Sequence, residues 1–237
     1  MLKAVLFDWG GTLMNDEWSD EIALEGHSAG IAALARDGLP GAAAFTSYLS
    51  EHESELFPRG TEDEIDILAV MTSSFREHGV ELTDDDVRLF LHAAQEVWSS
   101  YYALAASTHA LLEALRDRGL KLALVSNTAS PRWLLEPILE RQGIVDRVDA
   151  IVLSSDVGKR KPHPAIFERA LVELAVEPRE ALFVGDRLGA DVLGASRIGM
   201  STVQALWFRA DEDADGVDPD HQAFTQMDVL NVVDRLA

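Results

Sequence analysis

The chain contains no cysteine, which excludes disulfides, cysteine nucleophiles and thiolate metal sites. It is also poor in lysine: of 20 basic residues 16 are arginine, and the lysines are Lys3, Lys121, Lys159 and Lys161. Positive charge is scarce overall, with 41 acidic residues giving a formal net charge of −21. A field of that sign repels nucleic-acid backbones and anionic lipid surfaces, so neither is an expected partner. Long apolar runs are missing as well. The amino-terminal stretch Ala4 to Phe7 stops at Asp8 and is too short for a signal-peptide core or a membrane span, so a cytoplasmic location is expected. What is present suits a packed globular protein: 47% of the 237 residues are hydrophobic, enough for one large domain or a domain with an insert.

Five short apolar segments read as strands buried on both faces: Lys3 to Phe7, Leu120 to Ser126, Ala150 to Ser154, Ala181 to Gly185 and Ser201 to Leu206. Helical patterns lie between the later ones. Thr108 to Arg118 places Leu111, Leu112 and Leu115 on one face and stops at Gly119. Ser130-Pro131 reads as a cap with proline at the first helical position, and Pro164 opens a helix running to Leu174. This alternation predicts an α/β fold with a doubly wound, Rossmann-like parallel sheet.

Residues 15–105 read differently. They show no strand signal, but helical stretches near Ser19 to Arg36, Ala42 to Glu55, Glu62 to His78 and Asp84 to Leu104. Thr61-Glu-Asp-Glu64 and Thr83-Asp-Asp-Asp86 both look like helix starts, a threonine cap with acid three residues on. The expected organisation is therefore a core of residues 1–14 and 106–237 interrupted by an all-helical domain at 15–105.

Four segments fall at the carboxyl ends of predicted strands, where open α/β sheets bind ligands. They are Asp8-Trp-Gly-Gly-Thr12, Ser126-Asn127, Lys161-Pro162 and Gly185-Asp-Arg-Leu-Gly-Ala-Asp191. Together they supply a carboxylate on a glycine turn, a hydroxyl, a cation and a carboxylate pair. Asp8 and Asp186 can hold a divalent metal. Lys161, Ser126 and backbone N–H groups can bind phosphoryl oxygens, while Asp8 acts as nucleophile.

The order and spacing of these four segments resemble those of the haloacid dehalogenase superfamily, composed mostly of phosphatases, and the helical insert resembles its cap domain. The resemblance implies catalytic roles for Asp8, Thr12, Ser126 and Lys161, substrate contacts from Gly10, Gly11 and Asn127, and Mg2+ held by Asp8, the Gly10 carbonyl, Asp186 and Asp191. It implies a small phosphorylated metabolite as substrate and an aspartyl-phosphate intermediate. One position departs from the pattern. The residue two after the nucleophile, an Asp that serves as general acid and base in such phosphatases, is Gly10. Phosphonoacetaldehyde hydrolases carry a small residue there but need a cap lysine, and residues 4–120 contain none. A 2-haloacid dehalogenase and a catalytically weak phosphate-binding module stand as alternatives. Asp211-Glu-Asp-Ala-Asp-Gly216 imitates the start of a calcium loop, yet Gln222 stands where the closing Glu belongs, so it reads as a solvated acidic loop.

Overall fold

A computed structural model describes residues 1–16, 18–58, 60–208 and 216–236. The Asp211 to Asp215 stretch of the acidic run, and Glu17, lie outside these residues.

The chain divides into two compact units. The first comprises Met1–Asn15, Glu62–Glu64 and Ala103–Ala237, the second Asp16–Thr61 and Ile65–Tyr102.

Among the described residues eight strands occur in chain order: β1 Ala4–Phe7, β2 Met14–Asp16, β3 Tyr102–Leu104, β4 Lys121–Ser126, β5 Ala150–Leu153, β6 Ala181–Gly185, β7 Ser201–Ala205 and β8 His221–Ala223. Six of them form one parallel sheet in the order β5-β4-β1-β6-β7-β8. The all-apolar sequence of β1, every residue fully buried, follows from its central place with helices on both faces. Alternate residues serve opposite faces. Ala4 and Leu6 join Ala123, Val125 and Phe183 under the helix Pro164–Leu174, which contributes Phe167.

Several boundaries differ from the sequence reading, each for a local reason. Pro131 is the cap residue and not the first helical one, with extended backbone (ψ 154°), and its helix runs Arg132–Arg141. β8 was missed because its three residues are too few to show a strand pattern. Residues 15–105 are not free of strand: β2 and β3 pair in a two-stranded ribbon, so the last helix of the segment stops at Ser99.

The second unit packs helices around Phe45, Phe75 and Phe90, with ring centroids 4.4 Å apart for Phe45 and Phe75. Thr83 forms the expected capping box with Asp86. Thr61 does not start a helix. Asp66 caps the helix Ile67–Glu77 instead. Residues 62–64 lie along the first unit, where Arg160 N–H donates to the Glu62 carbonyl (2.9 Å) and Glu64 N–H to that of Gly158 (3.1 Å). Arg160 also pairs with the Glu64 carboxylate at 2.7 Å, and Lys159 with Asp63. Pairing with residues nearly a hundred positions away overrides the local capping signal.

Candidate active site

Because β1 lies between β4 and β6, the residues that leave these three strands emerge side by side at one sheet edge. Asp8 follows β1, Ser126 ends β4 and Asp186 follows β6. After β5 the chain makes a short helical turn, reverses at Gly158 and delivers Lys161 to the same edge. Asp191 arrives by another device, a single π-helical turn at Leu188–Val192. Its carboxylate accepts the Arg187 N–H (3.0 Å), closing a tight loop after β6.

The Lys161 ammonium is the hub. It lies 2.6 Å from the Asp8 carboxylate and 2.7 Å from that of Asp191, and donates to the Val125 carbonyl at 3.0 Å. Three acceptors match its three N–H groups. Phe183 sits beneath it, 5.4 Å from ammonium to ring centroid. Lys161, Asp8, Asp186 and Asp191 are all buried.

Burial and charge set the protonation balance. Desolvation pushes Asp8 above the usual carboxylate range; Lys161 opposes this and Asp186 adds to it. Asp191 is pushed up to about 6 by burial, against the pull of Lys161. For Lys161 burial acts downward, but Asp191 and Asp8 outweigh it, so its pKa is raised and it stays an ammonium.

Metal fit can be tested on the donors themselves. Asp8, Asp186 and Asp191 each offer a carboxylate oxygen within 4.8 Å of the others'. That span admits a small octahedral cation with hard oxygen ligands. A divalent cation there would offset the charge of these buried carboxylates. The residues present fit Mg2+.

The loop after Asp8 turns sharply. The Trp9 carbonyl accepts N–H groups from Thr12 (3.3 Å), Leu13 (3.0 Å) and Met14 (3.0 Å), and Gly11 takes φ +77°, a conformation glycine adopts without strain. The Thr12 hydroxyl is buried with no hydrogen-bond partner among the described residues. The Ser126 hydroxyl lies at the end of β4, next to the β1 strand that leads into Asp8. Asn127, expected to contact substrate, turns its side chain onto the backbone of Lys161. Its side-chain amide donates to the Lys161 carbonyl (3.0 Å) and accepts the Lys161 N–H (2.7 Å), clamping the backbone of the lysine.

Sequence reasoning missed the Val125 carbonyl and the Phe183 ring, since apolar strand residues carry no chemical signal of their own. It also missed three side chains that bond the carbonyls of Thr12 and Leu13 in the loop after Asp8: Trp207, Gln226 and Thr108.

A parallel sheet that gathers buried carboxylates and a lysine at its carboxyl edge has the ligand-site arrangement of an open α/β protein. The family model for haloacid dehalogenase-like hydrolases matches residues 2–199, and the chain belongs to that family. Among its relatives, a glyceraldehyde 3-phosphate phosphatase of Methanopyrus kandleri is 31% identical over 100% of this chain and 99% of its own length. A phosphoglycolate phosphatase of Yersinia pseudotuberculosis is 29% identical over 84% of this chain and 78% of its own. The fold is also that of a HAD phosphatase structure from Thermococcus onnurineus, with a TM-score of 0.65, 25% identity and 98% coverage of both chains. A 2-haloacid dehalogenase from Pseudomonas syringae pv. Tomato DC3000 shares it with a TM-score of 0.67 at 22% identity over both full lengths.

Proposed function

We propose that this hydrolase is a Mg2+-dependent phosphatase acting on a small phosphorylated metabolite through an aspartyl-phosphate on Asp8. The observation that carries the reading is the buried cluster of Asp8, Asp186 and Asp191 around the Lys161 ammonium. Relatives named as phosphatases of glyceraldehyde 3-phosphate and phosphoglycolate support the substrate class.

An Asp8 carboxylate oxygen attacks phosphorus, forming one P–O bond while the bond to the leaving oxygen breaks. Water then cleaves the acyl phosphate, releasing inorganic phosphate and restoring the carboxylate. Lys161 balances phosphoryl charge, Ser126 and the Gly10 N–H bind its oxygens, and Asn127 keeps Lys161 in place; the Gly11 N–H, expected to contact substrate, is instead donated to the Met14 carbonyl at 2.8 Å. Asp8, Asp186, Asp191 and the Gly10 carbonyl would hold Mg2+, which supplies further neutralisation of phosphoryl charge.

Gly10 offers no proton to the leaving oxygen. Leaving groups that depart as stable anions, such as those of acyl and aryl phosphates, need none, so these substrates are favoured over alkyl phosphates.

The test is phosphate release from 4-nitrophenyl phosphate and a panel of metabolite phosphates, with Mg2+ or EDTA. Turnover that requires Mg2+ and disappears in Asp8→Asn is expected. No turnover across the panel, or chloride release from a 2-haloacid without metal, overturns the reading. Gly10→Asp should raise turnover of alkyl phosphates selectively.

A further inference from the structure

The loop that carries Asp8 is tied by its own hydrogen bonds to the Trp9 and Met14 carbonyls and also from outside. Gly10 and Gly11 have no Cβ to restrict their torsions, so outside support adds to what presents Asp8 in one geometry. That support comes from side chains far away in the sequence. The Thr12 carbonyl accepts the Trp207 indole N–H at 2.8 Å and the Gln226 amide N–H at 3.2 Å. The next carbonyl, of Leu13, accepts the Thr108 hydroxyl at 2.9 Å and the Ala105 N–H at 3.2 Å.

Donors and acceptors around Gln226 match throughout. Its NH2 group serves Thr12 and also the Thr108 oxygen (2.9 Å), Thr108 passes its own proton to Leu13, and the Ser107 hydroxyl donates to the Gln226 side-chain oxygen at 2.7 Å. Gln226 is only 2% exposed and Thr108 fully buried, so an error in this network would leave an amide or carbonyl unsatisfied. Only an amide at position 226 can donate to Thr12 and accept from Ser107 at once.

We infer that Gln226, Trp207 and Thr108 are positioning residues for the reaction, fixing the Asp8–Thr12 loop through the carbonyls of Thr12 and Leu13. The inference rests on Asp8 being the reacting group. It assigns a role to the carboxyl-terminal part of the chain, beyond residue 199, where the family match ends.

The test uses the intact chain with Mg2+ and 4-nitrophenyl phosphate, measuring kcat and KM well below each variant's melting temperature. Gln226→Glu keeps the shape but sets an oxygen against the Thr12 carbonyl, and Trp207→Phe keeps the ring without its donor. Each is expected to lower kcat about tenfold or more while KM stays within about twofold, because small displacements of reacting groups cost rate. Thr108→Val should behave likewise, and Thr108→Ser, which keeps the hydroxyl, should recover most of the loss. If Gln226→Glu does not fold, Trp207→Phe and the Thr108 pair decide. Unchanged kcat in these variants, or equal losses in Thr108→Val and Thr108→Ser, overturns the inference provided Asp8→Asn is inactive. An active Asp8→Asn overturns the nucleophile reading and this inference with it.

Discussion

The Asp191 carboxylate lies against the one face of Gly185 where any other residue would carry its side chain: a Cβ there would stand 2.4 Å from the Asp191 carboxyl carbon. The close approach lets Asp191 reach Lys161 from the loop that follows β6. Gly185→Ala must push that carboxylate away. We expect a loss of about 1–3 kcal/mol in stability, typical of overpacking, and a larger proportional loss of activity. Thermal melts with phosphatase assays check this; an alanine variant with full activity would show that the approach is incidental.

Metal should be visible in stability even without substrate. Asp8, Asp186 and Asp191 are buried together, and an ion that binds only the folded state raises its stability with concentration. At a hundredfold excess over its dissociation constant the gain is about 2.7 kcal/mol. Melting in Mg2+ should therefore occur above melting in EDTA, and Asp186→Asn should shrink the difference. An Asp186→Asn variant that keeps the full shift contradicts the assignment.

Lys161→Met removes the sole ammonium in contact with the carboxylates of Asp8 and Asp191 among the described residues. Removing one partner from a buried charge cluster typically costs about 3–5 kcal/mol. The loss should be greatest in EDTA and smaller in Mg2+, which can take over part of the neutralisation. Equal destabilisation under both conditions would separate the lysine from the metal.

In the helical unit, His27 is expected to reduce stability at mildly acid pH. It is 6% exposed, packed against Phe45, Phe90 and Trp98, and its Nδ1–H donates to Thr46 (2.8 Å), whose own hydroxyl proton goes to the Ala42 carbonyl. Burial lowers its pKa from 6.5 to about 4, so the folded state holds it neutral. Above 6.5 neither state is protonated at this site and its contribution is intact. As pH falls from 6.5 towards 4 the unfolded chain takes up a proton that the folded one refuses, removing up to about 3 kcal/mol. His27→Gln, neutral throughout, should flatten that part of the stability profile measured by denaturant melts. An unaltered profile would place the acid sensitivity elsewhere.

Much of the site was legible because Asp8, Ser126 and Asp186 lie at strand ends, and strands buried on both faces announce themselves as continuous apolar runs. The sequence alone determined the alternation of strand and helix, the placement of those three residues, and the glycine at position 10; Lys161, by contrast, follows a helical turn after β5. Tertiary structure decided what those residues touch. Strand order put β1 between β4 and β6, and only then did Lys161 meet Asp8, Asp191 and the Val125 carbonyl. It also drew residues 62–64 away from their local helix signal onto Lys159 and Arg160, and turned the Asn127 amide onto the lysine backbone. Side-chain periodicity and capping are local and readable along the chain. Hydrogen bonds between residues 34, 96 or 214 positions apart, as in Asn127–Lys161, Glu64–Arg160 and Thr12–Gln226, depend on where the sheet brings the chain back.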